Sequence, residues 1–201
     1  MNAQGSIAHE DSCIAAPGAV DLSRYPPGSV ERGAGRLKEG LWILIRSVLF
    51  GACPFRLYRL KRWVLRRFGA AVGRGVVIKP GVKILFPWRL VVGDHVWLGE
   101  ECWLLNAARI TIDQHVCISQ RAMLVSIGHD YKSPDFGPIL APITIRRGCW
   151  IAAGGWVGQG VEMGSHAVLC ACSVATKDME PYGIYRGNPA VKIRTRQIRS
   201  E

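Results

Sequence analysis

Five histidines, at 9, 95, 115, 129 and 166, and seven cysteines, at 13, 53, 102, 117, 149, 170 and 172, are the side chains best suited to chemistry near neutral pH. An imidazole can take a proton from a hydroxyl or bind a metal ion. A metal centre of three histidines with two close in sequence does not fit, because the intervals 95→115→129→166 are 20, 14 and 37. The cysteines are odd in number and contain no CxxC pair, and Cys170 and Cys172 alone cannot make a four-ligand site. They read as small buried side chains in a reducing compartment. His129 stands apart from the other histidines. It lies in Ser126-Ile127-Gly128-His129-Asp130-Tyr131-Lys132-Ser133-Pro134-Asp135-Phe136-Gly137-Pro138, a stretch rich in Gly, Pro and polar residues that reads as a projecting loop. His95, His115 and His166 fall at turn positions within a regular pattern, where solvated structural roles are expected, and His9 lies in a polar N-terminal stretch.

That regular pattern is what must hold the loop. Steps of six from Val72 reach Ile78 and Ile84; after a two-residue slip at Pro87–Trp88 they continue through Val92, Leu98, Leu104, Ile110 and Val116. The series returns at Ile145, Ile151, Val157, Met163, Leu169 and Ala175, and all fourteen positions are apolar. Glycine follows directly at 73, 93, 99, 158 and 164. A period of six fits neither a helix nor an alternating strand, and it marks a hexapeptide-repeat β-helix. Three hexads make one coil, so four to five coils are expected. A β-sandwich with accidental spacing is the alternative. The interval from Val116 to Ile145 is 29, not a multiple of six, so the chain leaves the coil, with the excursion placed at 121–142. A long loop inserted in a rigid solenoid is more often functional than decorative.

The chain has 201 residues, enough for one compact domain. With 49% hydrophobic and 20% charged residues it is not a disordered chain, and 23 glycines and 11 prolines favour a repetitive β architecture over a helix bundle. Its formal net charge of +11 suggests an anionic partner. Residues 1–35 are polar and without apolar periodicity, which predicts a mobile tail or an arm that orders on a partner. Residues 36–69 read as a basic amphipathic helical segment, with Leu41, Trp42, Ile45, Val48 and Leu49 at helical spacing and then Phe55, Leu57, Leu60, Trp63 and Phe68 among Arg56, Arg59, Lys61, Arg62, Arg66 and Arg67. From 36 to 69 there are nine basic residues and one acidic residue, Glu39. The best apolar window, 40–55, is 16 residues long and contains Arg46, short of the ~20 that a membrane span needs. Two readings follow: a segment lying on an anionic membrane surface, or a helical cap packed on the domain with its arginines solvated. The first apolar run comes only after some forty residues, so no signal peptide is expected and the chain reads as cytoplasmic.

The repeats, the Gly128-His129-Asp130-Tyr131 loop, the run Ser173-Val174-Ala175-Thr176-Lys177-Asp178-Met179-Glu180-Pro181 and then Gly187-Asn188-Pro189-Ala190 together resemble the hexapeptide-repeat O-acetyltransferases, most closely the colanic-acid-biosynthesis type. The resemblance covers about residues 36–195. It implies an all-β solenoid, a left-handed parallel β-helix over 70–195 with an N-terminal helical segment and a short C-terminal tail at 196–201. It also implies a homotrimer with active sites at subunit interfaces. The implied reaction is acetyl transfer from acetyl-CoA to a sugar hydroxyl in exopolysaccharide or surface glycan synthesis, on a sugar or lipid-linked glycan, with no metal. By match to the family, His129 is the general base, Asn106 and Asp130 meet the acceptor, and Trp150, Ala153, Ala171, Thr176, Lys177 and Arg194 take the CoA. A lipid-linked acceptor would put the enzyme peripherally at the inner face of the membrane. Acetylation of an antibiotic or small metabolite is the alternative within the enzyme class. Outside it stand a γ-type metalloenzyme and a non-catalytic membrane-associated scaffold; no nucleic-acid motif is present.

Overall fold

The computed structural model describes residues 18–52 and 57–199. His9, Cys13, Cys53, Phe55 and Arg56 lie outside the described residues. Two helices come first, α1 (Arg36–Ile45) and α2 (Tyr58–Arg67), with a π-helical stretch, Arg46–Ala52, continuing α1. The solenoid follows, one short strand per side of a triangle. Its first coil is β1 (Ala71–Val72), β2 (Val77–Ile78) and β3 (Lys83–Ile84), and its second is β4 (Leu90–Val92), β5 (Trp97–Leu98) and β6 (Trp103–Leu105). The third is β7 (Ile110–Ile112), β8 (Cys117–Ile118) and β9 (Met123–Val125). A hairpin, β10 (Ile127–His129) and β11 (Pro138–Leu140), then leaves the stack. The fourth coil is β12 (Ile143–Ile145), β13 (Trp150–Ile151) and β14 (Trp156–Val157), and the fifth is β15 (Glu162–Met163), β16 (Val168–Leu169) and β17 (Val174–Ala175). An antiparallel pair, β18 (Gly183–Gly187) and β19 (Ala190–Thr195), ends the chain against β16.

The strands stack into three parallel sheets, β1-β4-β7-β12-β15, β2-β5-β8-β13-β16 and β3-β6-β9-β14-β17. This is the expected left-handed parallel β-helix with an N-terminal helical segment. Each hexad puts one aliphatic side chain into the core, and Ile78, Leu98, Ile118, Ile151 and Leu169 form one fully buried column. Three residues later the chain turns with a positive φ. One corner column is Gly75, His95, His115, Gly148, His166 and Tyr182, and another is Gly81, Glu101, Arg121, Gly154 and Cys172. A non-glycine residue in this conformation costs about 1–2 kcal/mol, whereas burying the hexad's aliphatic side chain yields about 1.5–3 kcal/mol, so the coil tolerates either residue type at a corner. The turn histidines stack along their corner: His95 on His115 at 5.3 Å and His166 on Tyr182 at 4.9 Å.

The structure moves one register. After Leu104 the inward column continues through Ile112, Ile118 and Leu124, so a second two-residue slip sits at Ala107–Arg109. Ile110 is buried beside Ile112 on the same strand, and Val116 fills the corner interior four residues past Ile112. β9 therefore belongs to the coil, and the excursion begins after Val125 rather than at 121.

The helical segment closes the bottom of the stack. Trp42, Phe50, Leu65 and Phe68 are buried against the first coil, with the Trp42 ring 5.5 Å from Phe50 and 5.3 Å from Phe68. The first coil has no coil beneath it to donate to its carbonyls, and basic side chains supply the donors instead. Arg66 bonds the carbonyls of Val72 (2.6 Å) and Gly73 (2.9 Å), and Arg62 bonds that of Val76 (2.7 Å). The fully buried Lys61 reaches Ile78 and Lys79, while Arg46 and the Trp42 indole reach Ile84. These four cations are thus bonded to the solenoid and not simply solvated.

Candidate active site

The β10–β11 hairpin carries His129 at its outer end, paired across the strands with Pro138. The turn beyond it is tied by its own polar groups. The Asp130 carboxylate accepts from the Lys132 N–H (3.0 Å), and the Asp130 N–H donates to the Gly137 carbonyl (2.8 Å). The Asp135 carboxylate accepts from the Ser133 hydroxyl and the Gly137 N–H, and these bonds, the hydroxyl's first, hold its carboxyl below the usual carboxylate range. Phe136 between them adopts a left-handed φ of 51°. That conformation is uncommon for a bulky residue and is sustained here by the surrounding turn bonds.

Phe136 addresses His129 twice. Its ring stacks on the imidazole at 4.5 Å and 9°, and its carbonyl oxygen lies 3.0 Å from Nδ1. A carbonyl has no proton to give, so Nδ1 carries the hydrogen and Nε2 is left with a free lone pair. That is the tautomer a proton acceptor needs.

The other side of the histidine is formed by the N-terminal stretch. Residues 18–35, expected as a tail or arm, lie on this same chain. The Asp21 N–H donates to the Pro134 carbonyl (2.8 Å), the Trp88 indole donates to the Arg32 carbonyl (2.6 Å), and Tyr25 tilts against His129 at 5.9 Å. Tyr25, Ser29, Arg32, Phe86, Ala107 and His129 are among the walls of a cleft of about 490 Å³. Glu39 of α1 also lines it, ion-paired with Arg32. Tyr25 and Phe136 were not singled out from sequence. The signal for Tyr25 was one aromatic residue in a polar stretch, and for Phe136 its place in the turn beside His129.

The two residues expected at the acceptor part company. Asp130 is half-buried next to His129, with its carboxylate on the turn. Asn106 is fully buried, its carbonyl accepting from the N–H groups of Leu85 and Phe86 and its amide donating to the Phe86 carbonyl (2.5 Å). That bonding holds the turn between the first and second coils, with Asn106 behind Phe86, a residue of the cleft wall.

The residues matched to the CoA groove are also divided. Ala153 and Ala171 meet at one corner, where the Cys172 N–H donates to the Ala153 carbonyl (2.9 Å), and they line a hollow of about 590 Å³ with Gly154, Gln120 and Arg121. Trp150 lies half-exposed on the outer face of the β13 sheet, its indole donating to the Ser119 hydroxyl (2.9 Å). Thr176 and Lys177 are exposed just after β17, and Arg194 is exposed on β19 opposite Ile184. None of these four lines the alanine hollow. Among the described residues no group of three His, Cys, Asp or Glu side chains could hold a metal ion.

No family model matches the chain. Known proteins do match, three of them as follows. A protein of Escherichia coli strain K12 named for colanic acid biosynthesis, the acetyltransferase WcaF, is 39% identical over 176 residues, 88% of this chain and 97% of its own. The hexapeptide-repeat acetyltransferase VCA0836 of Vibrio cholerae, solved with acetyl coenzyme A, superposes with a TM-score of 0.68 at 25% identity, covering 80% of this chain and 86% of that one. A galactoside acetyltransferase solved with coenzyme A superposes with a TM-score of 0.71 at 22% identity over 85% and 83% of the two chains, a likeness of fold. With the coil, the loop histidine and a relative of this identity matched almost end to end, the chain belongs to the hexapeptide-repeat acetyltransferases of the colanic-acid-biosynthesis type.

Proposed function

We propose that the protein transfers an acetyl group from acetyl-CoA to a sugar hydroxyl in exopolysaccharide or surface glycan synthesis, with His129 as general base. The observation that carries this reading is the bond from His129 Nδ1 to the Phe136 carbonyl, which leaves Nε2 as the acceptor on a ring lining the cleft. A sugar hydroxyl is a weak nucleophile until its proton is removed. Nε2 takes that proton as the hydroxyl oxygen bonds to the thioester carbonyl carbon. The tetrahedral oxyanion then collapses, the C–S bond breaks, and the imidazolium returns the proton to the departing thiolate. Asp130, next to His129 in the chain, is the residue to accept a hydrogen bond from another hydroxyl of the sugar. The Ala153–Ala171 corner offers small side chains along which an extended pantetheine arm can lie close to the backbone. Trp150, Thr176, Lys177 and Arg194 are the further contacts, the two cations suiting the CoA phosphates.

A homotrimer belongs to the same reading. The outward columns of two sheets are largely apolar: Val77, Trp97, Cys117, Trp150 and Val168 on one and, after Lys83 at its first rung, Trp103, Met123, Trp156 and Val174 on the other. The third presents Ala71, Val91, Thr111, Thr144 and Glu162. Two faces suited to burial and one suited to water are what a closed three-fold ring requires. On this reading the enzyme is cytoplasmic and peripheral at the inner face of the membrane, where a lipid-linked glycan is held. The test is a sugar panel incubated with enzyme and acetyl-CoA and read by mass spectrometry for the added acetyl group. Stoichiometric CoA release with an acetylated sugar supports the proposal, and acetylation of an amine in place of a hydroxyl would overturn it.

A further inference from the structure

The helical cap has a second face that the solenoid does not use. Trp42 points into the stack with 1% of its surface exposed. On the other side of α1 and its π-helical continuation, Leu37 (92% exposed), Leu41, Leu44 (63%) and Val48 recur at spacings of four, three and four, one stripe along the helix. Trp63 of α2, 58% exposed, stands beside them, and a hollow of about 450 Å³ between the helices is lined by Leu37, Leu41, Ile45, Trp63 and Phe68. A contiguous apolar surface of this kind on a folded chain marks an interaction site.

The charges at its edge say what kind. Four basic residues of the cap are bonded to the first coil; among the other described ones, Arg67 lines the hollow, Arg59 is exposed one helical turn before Trp63, Arg36 is exposed next to Leu37, and Lys38 stands over the Trp88 ring. Glu39, the one acidic residue in 36–69, is paired with Arg32. A second copy of the same face would bring arginine against arginine. A bilayer with anionic headgroups supplies acyl chains for the leucines and phosphates for the arginines, and Trp63 is of the type that lodges between the two. No helix among the described residues is long and apolar enough to cross a membrane. We infer that the outer face of the cap, Leu37, Leu41, Leu44, Val48 and Trp63 with Arg36, Arg59 and Arg67 at its rim, docks on an anionic lipid surface with α1 lying in the interface plane. This rests on the peripheral placement given under the proposed function and not on the acetyl chemistry.

The test uses the full chain and flotation with vesicles of phosphatidylcholine alone or mixed with phosphatidylglycerol, at low and high salt, with transfer to a soluble sugar measured in parallel. The expected result is binding to the mixed vesicles that salt weakens. Leu41→Gln with Leu44→Gln should lower that binding by about tenfold or more, because both side chains leave the acyl boundary. Arg59→Gln with Arg67→Gln should remove the preference for phosphatidylglycerol. Both double variants should keep the wild-type melting temperature and the wild-type rate on the soluble sugar. Binding undiminished in both double variants, or none to mixed vesicles at low salt, would overturn the inference. So would a leucine variant that changes the lipid-free molecular mass, since the face would then join copies of the chain. Vesicle binding without transfer to any sugar would leave the docking face standing and remove the proposed reaction.

Discussion

The Nδ1 atom of His129 and the carbonyl oxygen of Phe136 are 3.0 Å apart, and this contact fixes which imidazole nitrogen can act as a base. The tautomer is set by a backbone group seven residues along the chain, so it is a property of the turn as much as of the histidine.

His129→Ala should therefore lower kcat by about 10²–10⁴ while leaving the KM for acetyl-CoA near its wild-type value, since only proton removal is lost. Steady-state kinetics with acetyl-CoA varied at saturating sugar will show it. A variant that turns over at the wild-type rate would take His129 out of the reaction.

The turn that aims the carbonyl is held by Ser133 and Asp135. The Asp135 carboxyl is depressed first by the Ser133 hydroxyl and then by the Gly137 N–H, so its support for the turn is complete above 3.8 and fades as pH falls through the lower folded value. Ser133→Ala should move that titration up toward 3.8, followed by the Asp135 carboxyl carbon in NMR. At neutral pH the same variant should lose about threefold to tenfold in kcat, because the histidine is aimed less well. An unmoved carboxyl titration would mean that the hydroxyl bond does not form in solution.

The cationic cap predicts where stability resides. Arg62→Met leaves the Val76 carbonyl without its donor and should cost about 1–3 kcal/mol. Arg59→Met, on the exposed side of the same helix, should stay within about 0.5 kcal/mol. Denaturant melts of the two variants make the comparison. Equal effects would show that the cap is held by its apolar side chains alone.

Lys177→Ala and Arg194→Ala should each raise the apparent KM for acetyl-CoA more than they lower kcat, as expected when a phosphate contact is made equally in ground and transition states. Both residues are exposed and neither is among the bonded or ring partners of His129, so neither change should disturb it. If KM is unchanged in both, the CoA path runs elsewhere along the solenoid.

The solenoid was legible because each inward aliphatic residue is followed six positions later by another, and a period-six pattern has few structural solutions. The second register slip was not legible, for a specific reason. On a three-residue strand the first and third side chains point the same way, so Ile110 and Ile112 both enter the core and either continues an apolar series. The pair Leu90 and Val92 repeats this geometry, but there Pro87–Trp88 marks the slip in sequence. The placement of His129 on a hairpin outside the stack was legible through the one long break in the repeat. The burial of Asn106 was not legible, because a buried polar side chain and an exposed one look alike in a string of letters. Lys61, Arg62 and Arg66 were read as surface charge, since nothing local shows that carbonyls 6 to 18 residues ahead need donors.

A parallel stack with a bare first coil is a growing tip. Coils follow one another at the strand spacing of about 4.8 Å, and another chain's strands could add to the unpaired carbonyls of this edge as rungs add to a fibril. The donors that fill those carbonyls here, Arg62, Arg66, Lys61, Arg46 and Trp42, sit on helices, which have no strand edge to pass onward. They terminate elongation in all three sheets at once. The basic residues thus set where the ladder of coils ends, and they keep each chain a finite particle when the hydrophobic repeat alone would permit a filament.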